Sequence, residues 1–402
     1  MKKIKVSELK PGMAFDQPVY IDPTNVLVQA KQELNAKDIE RLVRWGIREV
    51  ETNGKLLSEA AEAPAPAVEI PATPAKAPGS GLPEAEKVKI HSDYEVMRKN
   101  KIVFRTLIKE TAELLKANTQ ALMENKPFDN HAILNISARL VDEIQSKNYL
   151  LLALQGMKAS SSWVIHHAIH AASYGALLGI AQQYSRPKLQ ELMFGMLLMD
   201  TGMARVPLHI RDKSGELNEQ EWGSIKKHPL LGYQLLVKNA KVKAALASIA
   251  LQHHESFDGS GYPQGLKGKQ IEESACIASI ADSYTAMIEK RAHREAFLPY
   301  DAMKNMLSVQ MNKFDPKLLR NFLGQLSIYP FGSLVELSNK RIGLVLGCRP
   351  DKPLRPLLRL LRDENGLPYN GLIFIDLTYE TDVYIVKALN PANSGINLES
   401  EI

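Results

Sequence analysis

A proline-rich segment divides this chain and limits what it can fold into. Residues 57–87 consist mostly of Ala, Pro, Glu, Gly and Ser, with prolines at 64, 66, 71, 74, 78 and 83. Such a stretch offers little apolar surface to pack, and proline removes the backbone donors that helices and sheets need. We therefore interpret it as a partly extended, semi-rigid linker, so that the chain folds as separate bodies on its two sides.

Hydrophobic periodicity assigns a fold class to each remaining part. The pattern of residues 1–56 predicts a small α+β accessory domain. It indicates two short strands around a Pro-Thr-Asn turn, followed by a helix and a further strand. Residues 88–324 carry the i, i+3, i+4 apolar stripe of helices nearly throughout. Residues 325–402 alternate in the manner of strands. The predicted fold is mainly α, with a small α+β N-terminal domain and a small β-rich C-terminal extension.

Composition excludes several classes of protein. Of 402 residues, 45% are hydrophobic and 24% charged, which is ordinary for a soluble globular protein and excludes a largely disordered chain. We find no run that approaches 18 apolar residues, and no apolar stretch follows the basic N-terminus, so we expect no membrane span and no signal peptide. Two cysteines favour a reducing cytoplasm. A net charge of +5 is too mild to indicate nucleic-acid binding.

Imidazole and carboxylate side chains recur on successive predicted helices. Six of them are candidate ligands: His167, Asp200, His228, His253, His254 and Asp282. Such a set suits a two-metal site, which activates water and holds a phosphoryl group between metals about 3.5–4 Å apart. Mixed nitrogen and oxygen ligation favours Fe, Mn, Zn or Ni over Ca or Mg. The structural alternative is that the histidines are core residues, that Asp200 ends a helix and that Asp282 is a cap.

A glycine-rich loop, DGSGYPQGLKG, directly follows the paired histidines. Its glycines and proline predict turns with positive φ and close approach of the backbone. Tyr262 and Pro263 would be presented rigidly by such a loop. Its position after a His-His-Glu cluster favours a loop over the mouth of an active site, although an ordinary surface loop is the alternative.

Residues 160–297 resemble an HD-GYP domain, the family of metal-dependent phosphodiesterases that hydrolyse cyclic di-GMP in bacteria. The matching text is LLMDTGMARVPLHIRDKSGELNEQEWGSIKKHPLLGYQLL together with HHESFDGSGYPQGLKGKQIEESACIASIADSYTAM, including the Gly261-Tyr262-Pro263 signature. Residues 1–56 resemble the small domain that often precedes HD-GYP domains, and IYPFGSLVELSNKRIGLVLG resembles a segment that often follows them. The resemblance implies a helical HD-GYP domain in the centre of the chain.

The resemblance also implies roles for individual residues. The six family metal positions fall on the six candidate ligands above, with Asp200 as the catalytic residue that bridges two metals in an intact site. The chain departs from the family at Met199, where the histidine of the His-Asp pair is expected, and at Met203, where a lysine is expected. A carboxylate that some members use shortly before His167 is also missing.

Each departure has a physical consequence. A thioether is a weak ligand for Fe, Mn or Zn, so the metal position to which residue 199 should contribute loses a donor. The metal position formed by Asp200, His228 and His253 keeps all its donors. One transition-metal ion is therefore expected more than two. Without a lysine at Met203 a fixed positive charge near the phosphate is lost, and losing one such contact commonly costs about 10²–10³ in rate. Both methionines also fit ordinary core positions.

Two functions follow from the resemblance. The first is a degenerate HD-GYP protein of cyclic di-GMP signalling, which binds the dinucleotide or a partner with weak or no hydrolysis. The second is an active metal-dependent cyclic di-GMP phosphodiesterase. In the family the GYP loop is associated with contacts to diguanylate cyclase domains, so Gly261, Tyr262, Pro263 and Lys267 would form the substrate or partner loop. Metal content distinguishes the two, since two equivalents favour the enzyme.

Overall fold

The computed structural model divides into two compact units. One unit comprises residues 1–87 and 335–387, and the other comprises residues 88–334 and 388–402. The structure describes residues 2–22, 25–36, 38–39, 42, 49–58, 83–146, 163–289, 296–326, 329, 331–348, 352, 354–390 and 394–396. Most of the predicted linker and of the helix predicted before residue 49 lies outside the described residues. The domain boundaries given above stay a prediction.

Short antiparallel strands form the N-terminal part of the first unit. They are β1 Lys2–Lys5, β2 Ala14–Phe15, β3 Val19–Asp22, β4 Asn25–Val28, β5 Glu49–Thr52 and β6 Leu56–Ser58. The order is β1-β5-β3-β4 in one sheet, with β2 and β6 paired separately. Asp22 pairs with Asn25 in the register of β3 and β4, so the predicted pair of strands is confirmed. Val19 and Val50 are fully buried beneath them. Pro23 and Thr24 of the predicted turn lie outside the described residues.

A five-stranded sheet forms the C-terminal part of the chain. Its strands are β7 Leu334–Leu337, β8 Ile342–Gly347, β9 Leu357–Arg362, β10 Pro368–Asp376 and β11 Ile385–Leu389. Their order is β10-β9-β8-β7-β11. Lys340 adopts a φ of 66° in the turn after β7, where the sequence predicted an Asn-Lys turn. The predicted β-rich extension is confirmed.

Helices make up the second unit, as predicted. They are α1 Glu84–Met123, α2 Asn130–Ser146, α3 Trp163–Ala181, α4 Arg186–Leu197, α5 Leu208–Arg211, α6 Glu219–Ile225, α7 His228–Gln234, α8 Ala244–Gln252, α9 Glu273–Ile288, α10 Pro299–Ser308 and α11 Pro316–Gln325. Helix α3 packs on both α4 and α9. The hydrophobic core of this unit includes fully buried residues such as Phe104 on α1 and Ile133 and Leu140 on α2.

Close helix packing depends on glycines at the contacts. A Cβ at Gly175 on α3 would lie 2.2 Å from the sulfur of Met196 on α4. A Cβ at Gly195 on α4 would lie 2.5 Å from a methyl group of Ile249 on α8. The two glycines therefore allow α3, α4 and α8 to pack closely. Helix α3 carries a candidate ligand, and each of the other two helices precedes one.

Helix α3 is apolar around its whole circumference. By length and composition, a window of 18 residues in it could cross a membrane. Within the folded unit 78% of that window is buried, which is also the pattern of a core helix in a soluble protein. Its histidines are therefore held inside the protein, where they need partners.

Candidate metal centre

Asp200 lies directly after α4, where the chain turns into a short 3-10 helix, Thr201–Arg205. Its carboxylate is turned toward His228, with Oδ1 3.4 Å from Nε2. A Cβ at Gly202 would lie 2.0 Å from the carbonyl oxygen of His228, so only glycine permits this approach of α7. The glycine two residues after Asp200 thus brings a carboxylate and an imidazole together.

The Nε2 atoms of His228 and His253 face each other. Nδ1 of His228 donates to the carbonyl of Ile225 at 2.8 Å, and Nδ1 of His253 donates to that of Ala250 at 3.0 Å. In the neutral rings this leaves a lone pair on each Nε2, and the two Nε2 atoms are 3.2 Å apart. Oδ1 of Asp200 is 3.8 Å from Nε2 of His253.

The chemistry of these atoms fits a cation. Three acceptors converge, and in these tautomers no proton lies between them, which is unfavourable in a buried site unless a positive charge joins them. His228 and His253 are 2% and 1% exposed, so water screens the repulsion little. His254 brings a third imidazole within ligand reach of this pair. Imidazole and carboxylate donors of this kind favour a transition metal.

A second group of donors lies beside the first. One ligand atom each from His167, Asp200 and Asp282 lies within 4.8 Å of the others. Nε2 of His167 is 2.6 Å from Oδ1 of Asp282, and Oδ2 of Asp282 is 3.9 Å from Nδ1 of His254. Asp200 therefore stands between the two groups, where a bridging carboxylate would be needed. The six candidate ligands are brought together, and their role as ligands stays a prediction.

Asp200 lies just beyond the end of α4, as its structural alternative expected, whereas the structure contradicts the alternative for Asp282. Asp200 occupies the N-cap position of the 3-10 helix, but its side chain makes no capping bond among the described residues. Asp282 lies in the middle of α9 and is 9% exposed, so it is not a cap. Both carboxylates are thus buried next to imidazoles, which is the costly placement that a functional site requires.

Met199 and Met203 are buried in apolar surroundings. Met199 has no exposed surface and belongs to the main core of the helical unit. Met203 packs in a smaller apolar cluster with Val164, Val206 and Ile210. Core packing therefore accounts for both methionines, in agreement with the structural interpretation of the sequence.

Glu289, which the sequence analysis missed, holds two histidines of α3. Its Oε2 accepts from Nδ1 of His167 at 2.8 Å, and its Oε1 is 2.5 Å from Nδ1 of His170. No spacing along α9 indicated it, because Glu289 follows the last residue of that helix with an extended backbone, and only the folded chain brings it to α3. A carboxylate on Nδ1 fixes the ring of a metal-binding histidine and leaves Nε2 as the ligand atom.

The histidines of the two donor groups differ in the direction in which their pKa values are shifted. Burial disfavours imidazolium, yet hydrogen bonds to Asp282 and Glu289 raise the pKa of His167 to about 10. Burial would raise the pKa of both carboxyls, but the bonds to His167 hold each pKa well below its usual range. Burial lowers the pKa of His228, and it lowers the pKa of His254 well below 6.5. Metal-free protein thus holds a proton on His167 and keeps His228 neutral.

We expect the stability of metal-free protein to fall as the pH rises from 6.5 to 10. Because the pKa of His167 is raised by folding, its contribution is complete below 6.5 and is lost as the pH approaches 10. His228 and His254, with lowered pKa values, act in the opposite direction and below 6.5. Melting temperatures in EDTA across this range measure the slope. His167→Gln should flatten it, and an unchanged slope would contradict the assignment.

Loss of the Glu289 carboxylate should weaken metal binding. Glu289→Gln leaves a side chain of the same size but takes the anion from Nδ1 of His167, and loss of such outer partners typically costs about 10–100-fold in metal affinity. Titration with Mn²⁺ followed by calorimetry measures the change. Glu272→Gln removes an exposed carboxylate at the other end of α9 and serves as the control. Equal affinities in the two variants would show that Glu289 does not orient the ligand.

The glycine-rich loop is held by Glu255, a second residue that the sequence analysis did not assign. Glu255 is 2% exposed and accepts from the backbone nitrogens of Gln264 at 2.7 Å and Leu266 at 3.0 Å. The predicted positive φ values occur at Gly259, Gly265 and Gly268. This buried carboxylate fixes the loop at the end of α8, next to the paired histidines.

The loop places Tyr262 on the site. The Tyr262 ring stacks on that of His254, with centroids 4.9 Å apart and planes inclined by 27°. The ammonium of Lys226 lies 5.6 Å from the Tyr262 centroid. Pro263 and Lys267 are exposed on the outer side. The loop thus covers the His254 end of the donor set, as the sequence predicted for a loop over the mouth of a site.

Two parts of the chain match known families. Residues 153–318 match the family described as HD domain, and residues 334–396 match the KOW domain associated with HD domain. The cyclic di-GMP phosphodiesterase PA4108 of Pseudomonas aeruginosa is 31% identical over 225 residues, which cover 55% of this chain and 54% of that protein. The cyclic di-GMP phosphodiesterase of Thermotoga maritima is 33% identical over 158 residues, covering 38% of this chain and 43% of that protein.

Further relatives match over a similar extent. The cyclic di-GMP phosphodiesterase PdeB of Borreliella burgdorferi is 26% identical over 245 residues, 61% of this chain and 62% of that protein. The chain thus spans about half the length of the curated relatives it matches. Among solved structures, Bd1817 of Bdellovibrio bacteriovorus, described as an HDG"Y"P protein, is 16% identical with a TM-score of 0.48, covering 80% of this chain and 97% of that chain.

Proposed function

Because the chain belongs to the HD-GYP group of HD domains, we propose that it is a cyclic di-GMP-binding protein of bacterial signalling whose metal-dependent hydrolysis is weak or absent. The observation that carries this proposal is the pair of Nε2 atoms of His228 and His253, 3.2 Å apart beside the carboxylate of Asp200. This geometry supports one metal position whose protein donors are complete. The second metal position lacks a donor, because residue 199 is a methionine and not the expected histidine.

The relatives support cyclic di-GMP as the ligand. Several are named cyclic di-GMP phosphodiesterases, and the matched region includes the donor set and the glycine-rich loop. A bound transition metal would supply a positive charge for the phosphate and lower the pKa of water. His228, His253 and Asp200 would hold it, with His254 on the same metal or on the substrate phosphate. Three protein donors leave a position open for a ligand.

Two features support weak turnover. The second donor group lacks the imidazole expected at Met199, and its His167 is engaged by Asp282 and Glu289. The side chain of Met203 is apolar where the family has a lysine, and it packs among aliphatic residues. Binding needs fewer contacts than stabilisation of the transition state, so the first can persist where the second is lost.

Incubation with cyclic di-GMP tests the proposal. The protein is loaded with Mn²⁺ or Fe²⁺, its metal content is measured, binding is followed by calorimetry, and products are resolved by chromatography. We expect binding, about one metal per chain, and little or no product. Rapid conversion with two metals per chain would overturn the proposal in favour of an active phosphodiesterase. Absence of binding would remove cyclic di-GMP as the ligand. Protein stripped of metal is the control.

The glycine-rich loop supports a second role in the same pathway. We propose that Gly261, Tyr262, Pro263 and Lys267 dock a diguanylate cyclase domain, in the cytoplasm. Support comes from the way Glu255 fixes the loop internally, which leaves Pro263 and Lys267 exposed. A purified cyclase domain should bind the wild-type chain and bind Lys267→Glu more weakly. Lys269→Glu, in the short 3-10 helix Gly268–Gln270 that follows the loop and also exposed, is the control.

A further inference from the structure

The donor set is most open to solvent at His254. The side chain of His254 is 26% exposed, whereas that of each of the other five candidate ligands is at most 12% exposed. The ring of Tyr262, itself only partly buried, stacks on this imidazole. A ligand that arrives from solvent therefore reaches the donor set beside His254 and Tyr262.

Lys226 stands at this opening. It directly follows the last residue of α6 and precedes His228, the first residue of α7, by two positions. Its ammonium lies 5.6 Å from the ring centroid of Tyr262, and the same ring contacts His254. Lys226 is exposed. The segment that places a buried imidazole in the donor set thus also places a cation at its mouth.

The ammonium of Lys226 is available to an anion. Lys213, earlier in the same region of the chain, is already bound by the carboxylate of Glu221 at 2.7 Å. No carboxylate pairs with Lys226 among the residues that the structure describes. Its contact with Tyr262 is an attraction between a charge and a ring, so its three N–H donors stay available for a ligand.

The donor set itself offers little positive charge to a phosphate. The carboxylates of Asp200 and Asp282 would balance the charge of one divalent ion. The side chain of Met203 is apolar and adds none. A phosphate diester is an anion, and a lysine ammonium is a compact charge that suits it. An unpaired lysine at the opening therefore supplies the attraction that a centre with one metal lacks.

We infer that Lys226 binds a phosphate of the cyclic dinucleotide on the His254 side of the donor set. The inference rests on the proposed function and deepens it, because it names a residue outside the candidate metal ligands that contacts the dinucleotide. The ring of Tyr262 keeps the ammonium near the opening before the ligand arrives, so less conformational entropy is lost when the contact forms.

Calorimetry with cyclic di-GMP on the full-length, Mn²⁺-loaded chain tests the inference. Lys226→Gln should raise the Kd about 10-fold, near the lower end for a hydrogen bond to a charged group, because the contact is open to solvent. The Kd of the wild type should rise with NaCl concentration more steeply than that of Lys226→Gln, since the variant lacks this charge contact. Lys226→Arg should keep most of the affinity. Metal content should be equal in all of these proteins.

Lys227→Gln is the matched control. Lys227 is the next residue and is also exposed, but the cation that the structure places over the Tyr262 ring is that of Lys226, so the control should leave the Kd unchanged. If the wild type binds and Lys226→Gln matches its Kd, or if both Gln variants weaken binding equally, the inference is overturned and the proposed function stands. Loss of metal from Lys226→Gln would also overturn it, since Lys226 would then support His228. If the wild type does not bind, both fall.

Discussion

Replacing His228 with alanine is expected to abolish metal binding. His228 supplies one of the two imidazole nitrogens that face each other beside Asp200, and its Nδ1 is already fixed by the carbonyl of Ile225. Removing a direct ligand should cost more than the roughly 10–100-fold that follows loss of an outer partner. Elemental analysis and Mn²⁺ titration of purified protein measure the effect.

His167→Ala should have a smaller effect on metal content. His167 belongs to the donor group that Met199 leaves incomplete, and in the metal-free chain it is already engaged by Asp282 and Glu289. His209→Ala removes an exposed histidine on α5 and controls for the substitution itself. Equal loss of metal in the His228 and His167 variants would show that the metal lies on the His167 side.

Restoring the two missing polar residues should increase hydrolysis of cyclic di-GMP. Met199→His adds an imidazole beside Asp200, and Met203→Lys adds a positive charge near the phosphate. Because one preorganised contact is commonly worth about 10²–10³ in rate, the double variant should gain up to this order, and each single variant should gain less. Chromatography of products after incubation with Mn²⁺ or Fe²⁺ measures the gain.

The surroundings of the two methionines determine how this experiment is controlled. Met199 has no exposed surface, and Met203 packs against Val164 and Val206, so each new polar group is costly unless it reaches the site. Thermal melting must show that the variants fold. Met196→His, three residues before Met199 and also fully buried, controls for a histidine placed in the core. A folded double variant with two metals and no turnover would place the defect elsewhere.

The sequence predicted the helical class and the strands at both ends of the chain, because these depend on local periodicity. It also singled out six residues through a recognisable motif, and the structure brings them together, while their role as ligands stays a prediction. It did not predict Glu289, since a carboxylate there matters only once α9 packs on α3 and brings it to His167. Nor did it predict the role of Gly202. The backbone of His228 occupies the space that a side chain at position 202 would need. Both depend on tertiary packing, which periodicity along one helix does not specify.

The donor set draws together segments that are distant in the chain. Asp200 follows α4, His228 begins α7, and His253 follows the last residue of α8, so an ion held by all three would act as a crosslink between these segments. A metal that binds the folded chain alone stabilises it by about 4 kcal/mol at a free concentration 1,000 times its Kd. The melting temperature of the helical unit would then rise and fall with the supply of metal. Through this linkage, the abundance of folded protein in a cell would depend on the cell's metal status.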